Sequence, residues 1–204
     1  MAFFSSFSRS ASELKTLRCL TTTAILVAFA VAIKYFTFYI SDTLRISFDF
    51  VAIAAIAMLF GPTVAGFAGI LIDVISYLLK PVAAFSPMIT VVAMVTAVIY
   101  GVYLYGLKPV KFEAGADYTK RNVLQIIRIV LAEFTVMIVC NLALMPFALI
   151  FSGFATFESM TAGYPVRLVK SLAQFPVNIV LLLAVLPAAM LAYRRATRNS
   201  TARS

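Results

Sequence analysis

The sequence predicts an all-α membrane protein, one bundle of six transmembrane helices with both termini in the cytoplasm. Three observations predict it. Hydrophobic residues make up 63% of the chain and the mean hydropathy is +1.01, whereas a soluble globular chain has roughly 45–50% apolar residues. Long apolar blocks recur with few charges inside them, and a bilayer core about 30 Å thick takes about 20 such helical residues per crossing. No stretch alternates apolar and polar residues as a transmembrane β-barrel does, so helices remain as the spanning elements, because lipid offers the backbone no hydrogen bonds.

The expected spans cover residues 20–40, 46–60, 63–79, 88–106, 122–150 and 165–193. They form one domain over residues 20–193, between a tail at 1–19 and a basic tail at 194–204. Residues 1–11 are rich in Phe and Ser but lack a cationic start and a small-residue cleavage site, so Leu20 onward reads as a retained span and not a cleaved signal. The second and third spans are short, with Gly61-Pro62 as the tight turn between them. Short spans must tilt, thin the bilayer or sit inside a bundle.

Orientation follows from Lys and Arg near the span ends. Arg9, Lys15 and Arg18, then Lys108, Lys111, Lys120 and Arg121, then Arg194, Arg195, Arg198 and Arg203 fall on one side, which is expected to be cytoplasmic. Lys34, Arg45, Lys80, Arg167 and Lys170 fall on the other. The net charge of +9 is read as this placement and not as a nucleic-acid surface. With two cysteines, Cys19 and Cys140, and no histidine, a disulfide framework or a Cys/His zinc site is excluded and the commonest general base is missing. No cofactor or metal is expected.

Charges at membrane depth are costly and mark function. Asp49 is placed a turn into the second span and Asp73 in the outer half of the third. Arg167, Lys170, Ser171, Gln174 and Asn178 recur at spacings of three and four, which puts them on one face of the sixth helix. Tyr35, Phe36, Tyr77 and Phe85 flank these groups. Such a half-buried outer pocket suits a flat, polar, partly anionic ligand. In the competing reading, Arg167 and Lys170 snorkel to headgroups, and Gln174 and Asn178 bond between helices. Arg128 and Glu133 in the fifth span read as a structural contact of the bundle. Ala24, Ala28 and Ala32, each four apart on the first span, make a flat strip for close approach of another helix, within this chain or outside it.

An enzyme is not expected. Two membrane aspartates invite comparison with intramembrane aspartyl proteases, but Gly69-Ile70-Leu71-Ile72-Asp73 lacks the glycine directly before the aspartate. No Ser/His pairing, phosphate loop or dinucleotide fingerprint occurs. Without a nucleotide site, the chain alone cannot drive active transport.

Leu44-Arg45-Ile46-Ser47-Phe48, the span ending Met58-Leu59-Phe60-Gly61-Pro62, then Gly66, Gly69 and Asp73, then Ile99-Tyr100-Gly101, and Arg167-Leu168-Val169-Lys170 before Pro176 form a connected set. From about Leu20 to Tyr193 the chain resembles the substrate-binding S components of energy-coupling factor transporters, the folate-type branch above all. Folate-type members carry a Phe-Pro-Gly-Phe-like piece before the fourth span. Here Phe85-Ser86-Pro87-Met88 keeps the aromatic residue and the proline.

The resemblance implies a ligand site near the extracellular surface of a bacterial inner-membrane protein. It also implies docking on a transmembrane T component coupled to two cytoplasmic ATPases, with Ala24, Ala28 and Ala32 matching the family's Ala-x-x-x-Ala-type docking motif. The expected ligand is a vitamin, with a folate-like molecule favoured. Arg45, Arg167 and Lys170 are expected at its anionic groups, Asp73, Asn141, Gln174 and Asn178 as orienting hydrogen-bond partners, and Tyr77 and Phe85 as stacking walls. A stand-alone carrier or channel, and a membrane assembly subunit that binds no small ligand, are the alternatives.

The charge split generates a test of topology. In a cysteine-free background, a single cysteine replacing Ser159 should react with an impermeant thiol reagent on intact cells, and one replacing Lys111 should react only after permeabilisation. The opposite labelling would invert the bundle.

Overall fold

The structure is a computed structural model that describes residues 2–13, 16–35, 38–39, 45–46, 48–81, 84–107 and 116–201. Its elements in chain order are α1 (Ala2–Glu13), α2 (Leu17–Tyr35), β1 (Phe38–Tyr39), β2 (Arg45–Ile46), α3 (Asp49–Phe60), α4 (Pro62–Leu79), α5 (Pro87–Leu104), α6 (Ala116–Thr135), a π-helical stretch (Val136–Leu144), α7 (Met145–Phe151) and α8 (Phe157–Thr201). Among the described residues, five helical segments are long and apolar enough to cross a membrane, and Asp49–Phe60 is a shorter apolar helix. Large apolar side chains such as Phe29, Phe67 and Phe147 are more than half exposed on the outside of the bundle. A chain folded in lipid keeps such a surface at no cost, whereas in water it would be a liability.

The shortest apolar helix sits in the middle. A 12-residue helix rises only about 18 Å, too little for a bilayer core of about 30 Å. α3 meets that shortfall by packing among α2, α4, α5 and α8, so that Ala54, Ile56 and Ala57 are fully buried. Alanine and isoleucine suit this place, since both the helices around it and its own side chains must fit without polar groups.

Small residues bring α4 and α5 into the closest packing of the bundle. A Cβ on Gly69 would lie 2.9 Å from the Ala93 carbonyl oxygen, and one on Gly101 would lie 2.3 Å from Pro62 Cα. Backbone-to-backbone approach of this kind is how helices associate in lipid, where dispersion and not the hydrophobic effect drives packing. Gly61 turns the chain between α3 and α4 with φ +86°, a conformation that other residues adopt only with strain, and Pro62 opens α4 where its missing N–H is harmless.

Three features differ from the sequence expectation. The N-terminal tail contains a helix, α1, which packs on α4. Ser10, fully buried, donates its hydroxyl to the Phe60 carbonyl at 2.6 Å and accepts from the Thr63 and Val64 amides at 3.2 and 3.3 Å. It thus satisfies the first amides of α4 from another helix, the work an N-cap side chain does locally. Thr63 returns a hydroxyl bond to the Phe7 carbonyl at 3.1 Å. Glu13 accepts a long bond from the Tyr105 hydroxyl at 3.5 Å; its partial burial raises its pKa, against the lowering effect of that bond. Second, α2 ends at Tyr35 and β1 pairs antiparallel with β2, Phe38 with Ile46 and Tyr39 with Arg45. Asp49 is therefore the first residue of α3 and not a turn inside it.

Third, the last helix starts at Phe157, earlier than expected, because Thr156 and Ser159 cap it reciprocally: the Thr156 amide donates to Ser159 Oγ at 3.1 Å and the Ser159 amide to Thr156 Oγ1 at 3.4 Å. The fifth span also departs from a regular helix. It turns π-helical before Pro146, whose ring excludes an amide donor for the Leu142 carbonyl. The Tyr164 hydroxyl of α8 donates to that carbonyl at 3.4 Å. Lys15, Phe36 and the basic residues Lys108 and Lys111 lie outside the described residues.

The Pro62–Gly101 approach sets a stability test. Gly101→Ala forces a displacement of backbone and should cost about 1–3 kcal/mol, visible as a lower thermal unfolding midpoint in detergent. Gly163→Ala, where a Cβ meets nothing within 4 Å, should leave the midpoint unchanged or slightly raised.

Candidate functional site

Among the described residues, two clusters of polar side chains join the spans. At one end of the bundle lie the C-terminal turns of α2 and α4 and the N-terminal turn of α5. Here Lys34 Nζ donates to Asp73 Oδ1 at 2.9 Å, and the Thr90 hydroxyl donates to Asp73 Oδ2 at 2.8 Å. One turn further along α4, Tyr77 packs against Phe85 with ring centroids 5.1 Å apart and planes tilted by 56°. Lys80 lies over the Tyr35 ring at 5.6 Å, a cation–π placement. Ser86 and Ser152 share a hydrogen bond between their hydroxyls, which ties the start of α5 to the end of α7. The sequence-predicted residues Asp73, Tyr77 and Phe85 are thus neighbours at one end, joined by Lys34 and Thr90, which sequence reasoning had not placed in the site.

The second cluster is in the middle of the bundle. Glu133 of α6 is buried, accepting from the Tyr100 hydroxyl at 2.5 Å on one carboxyl oxygen and from the Asn178 amide at 2.6 Å on the other. All three side chains are at most 9% exposed. A buried carboxyl in lipid is tolerated only when its oxygens are satisfied, and here donors from α5 and α8 do so. Glu133 is the bundle contact that the sequence suggested, whereas Arg128 lies exposed on α6. Asn178 fastens α8 to α6, as the interhelical alternative held, and sequence reasoning noted Tyr100 only within Ile99-Tyr100-Gly101 and not as a partner of Glu133, because spacing along one chain does not show which helices meet.

The predicted face of α8 exists. Arg167, Lys170, Ser171 and Gln174 are half-buried, and Asn178 completes the row at the buried centre. Phe175 beside them meets Phe134 of α6 edge-on at 6.2 Å. Arg45 is placed by its backbone in the ladder opposite Tyr39. Asn141, in the π-helical stretch, is exposed and is not gathered with these groups.

The alanine strip faces outward. Ala24, Ala28 and Ala32 are exposed, and with Phe67, Leu71 and Ile75 of α4 they line an apolar groove of about 760 Å³ between α2 and α4. The strip therefore does not pack inside this chain's own bundle. Among the described residues no cluster of three or more potential metal ligands occurs.

The comparisons with known proteins agree with one another. Residues 18–195 match the family described as ECF transporter, substrate-specific component. A folate transporter, FolT, of Clostridium novyi (strain NT) is 29% identical over 162 residues, covering 78% of this chain and 84% of the relative. The crystal structure of FolT bound with folic acid superposes with a TM-score of 0.68 at 26% identity, covering 83% of this chain and 93% of that one.

Removing one donor to a buried carboxyl costs about 1–3 kcal/mol, while replacing every partner by apolar groups of similar shape is nearly neutral. Asn178→Leu should therefore lower the unfolding midpoint in detergent, and adding Glu133→Leu and Tyr100→Phe should recover most of the loss. A triple variant less stable than the single one would refute the account of this node.

Proposed function

The chain belongs to the substrate-specific components of energy-coupling factor transporters, and from that premise we propose that it captures a folate-like vitamin at the outer face of a bacterial inner membrane and hands it to a T component driven by two ATPases. The single observation that carries the choice of ligand is the likeness, over most of both chains, to a folate transporter and to a structure holding folic acid.

The residue types fit that ligand. Arg45, Arg167 and Lys170 would meet the carboxylates. Gln174 and Asp73 would orient ring and amide groups, with Asn141 the weakest member because it is exposed and Asn178 engaged instead by Glu133, and Tyr77 and Phe85 would flank the flat ring. Six crossings, with α3 as the short one, keep both termini on the cytoplasmic side. The exposed strip at Ala24, Ala28 and Ala32 would receive a helix of the T component: small side chains along one groove wall let a partner backbone come close.

One experiment separates this reading from a lone carrier and from a subunit that binds nothing. Lys170→Ala and Gln174→Ala should each weaken folic acid binding about tenfold or more in calorimetry, as loss of a charge-assisted or buried hydrogen bond implies. Ala28→Trp should leave that affinity unchanged yet abolish ATP-dependent uptake in the full complex. Uptake that needs no ATPase partner would make the chain a lone carrier. A chain that binds no folic acid or other vitamin would be an assembly subunit. Normal uptake by Ala28→Trp would remove the strip as the docking surface.

A further inference from the structure

The ion pair at the end of the bundle stands where the ligand region and the apolar groove meet. Lys34 lies on α2 between Ala32 and Tyr35, and Asp73 lies on α4 between Leu71 and Ile75; all four flanking side chains line the groove. On the other side, Asp73 accepts from Thr90 of α5 and stands one turn before Tyr77, which packs on Phe85. The carboxylate thus belongs to the helix that forms one groove wall and to the cluster expected to meet ligand. The Lys34 side chain is 30% exposed and that of Asp73 15%, so the pair is partly shielded from water, where a charge-assisted bond of 2.9 Å holds strongly. It ties α2, which carries the alanine strip, to α4 near the end of the groove that lies toward the candidate ligand region.

We propose that Lys34 is a positioning residue: through Asp73 it sets the spacing of α2 and α4, so that a ligand altering the surroundings of Asp73 alters the shape of the docking groove. The inference rests on the docking reading above. A ligand changes an equilibrium only through contacts that differ between its states, and both oxygens of Asp73 are already engaged, so any ligand group drawn to this carboxylate competes with Lys34 or Thr90.

The test uses the full chain, folic acid as probe, and the complete complex with T component and ATPases. Lys34→Met should lower ATP-dependent uptake of folic acid about tenfold, while the calorimetric affinity of the isolated chain holds or rises, because Asp73 then has one competitor fewer for any ligand group. Lys34→Arg, which keeps the charge and reach, should restore uptake to within about twofold. Thr90→Val, which keeps the ion pair and removes one donor, should give a smaller loss and guards against a Lys34→Met chain that does not fold. Unchanged uptake in both Lys34→Met and Thr90→Val overturns the inference. So does a parallel loss of affinity and uptake, which would make Lys34 a ligand contact, and so does a Lys34→Arg chain as defective as Lys34→Met. If Lys34→Met behaves as expected but Ala28→Trp transports normally, the pair acts elsewhere than the groove and the inference falls. If wild-type chain takes up no folic acid in the complex, the docking reading fails first and takes this inference with it.

Discussion

Close approach of Pro62 to Gly101 governs how this bundle is put together. With a side chain at position 101, its first carbon would overlap the Pro62 Cα, so α4 and α5 could not touch at that end. Their contact, repeated at Gly66 and Gly69, holds the two long helices against each other and leaves α3 walled in among α2, α4, α5 and α8. Lipid supplies no hydrophobic push between helices. The whole arrangement therefore depends on backbones being near enough for dispersion to act. Glycine and alanine recur along these faces for that reason, and large apolar side chains are turned outward.

Given this frame, the polar residues divide by depth. Glu133, Tyr100 and Asn178 are internal and mutually satisfied, which makes them fasteners between α5, α6 and α8. Lys34, Asp73 and Thr90 lie near a helix end, are less deeply buried, and adjoin the aromatic pair Tyr77 and Phe85. The first group resembles a structural rivet. The second keeps the partial access that recognition of a solute requires.

Much of this was legible in the chain itself. Apolar run lengths located the five candidate membrane helices and the short helix Asp49–Phe60 to within a few residues at most ends, and three-and-four spacing put Arg167 to Asn178 on one face of α8. What was not legible has physical causes. Residues 2–13 do space Phe3, Phe4, Phe7 and Ala11 as one face of a helix, but a 12-residue helix draws its stability from packing, and the partner that holds α1, the turn at Gly61-Pro62, is remote in sequence. The early start of α8 depends on a reciprocal Thr156–Ser159 cap, a weaker written signal than a Ser/Thr–Glu pair. Lys34 entered the sequence reading only as a cation at a span end; the helix pairing shows that its ammonium reaches Asp73. Asn141 drew notice as an amide in an apolar run, but the π-helical stretch before Pro146 turns it outward, and a shift of phase there is invisible to a count based on 3.6 residues per turn.

The Ser10 clasp also bears on the order of biosynthesis. α1 is made before α2, α3 and α4, yet its Ser10 hydroxyl closes on a carbonyl 50 residues later. While α2 and α3 enter the membrane, α1 has no docking place, since the turn that receives it has not been made. Insertion decisions for the early helices are accordingly taken without it. The clasp forms only after α3 and the start of α4 stand side by side, so the N-terminal helix latches a topology already chosen and acts late, as a check that the first hairpin has closed.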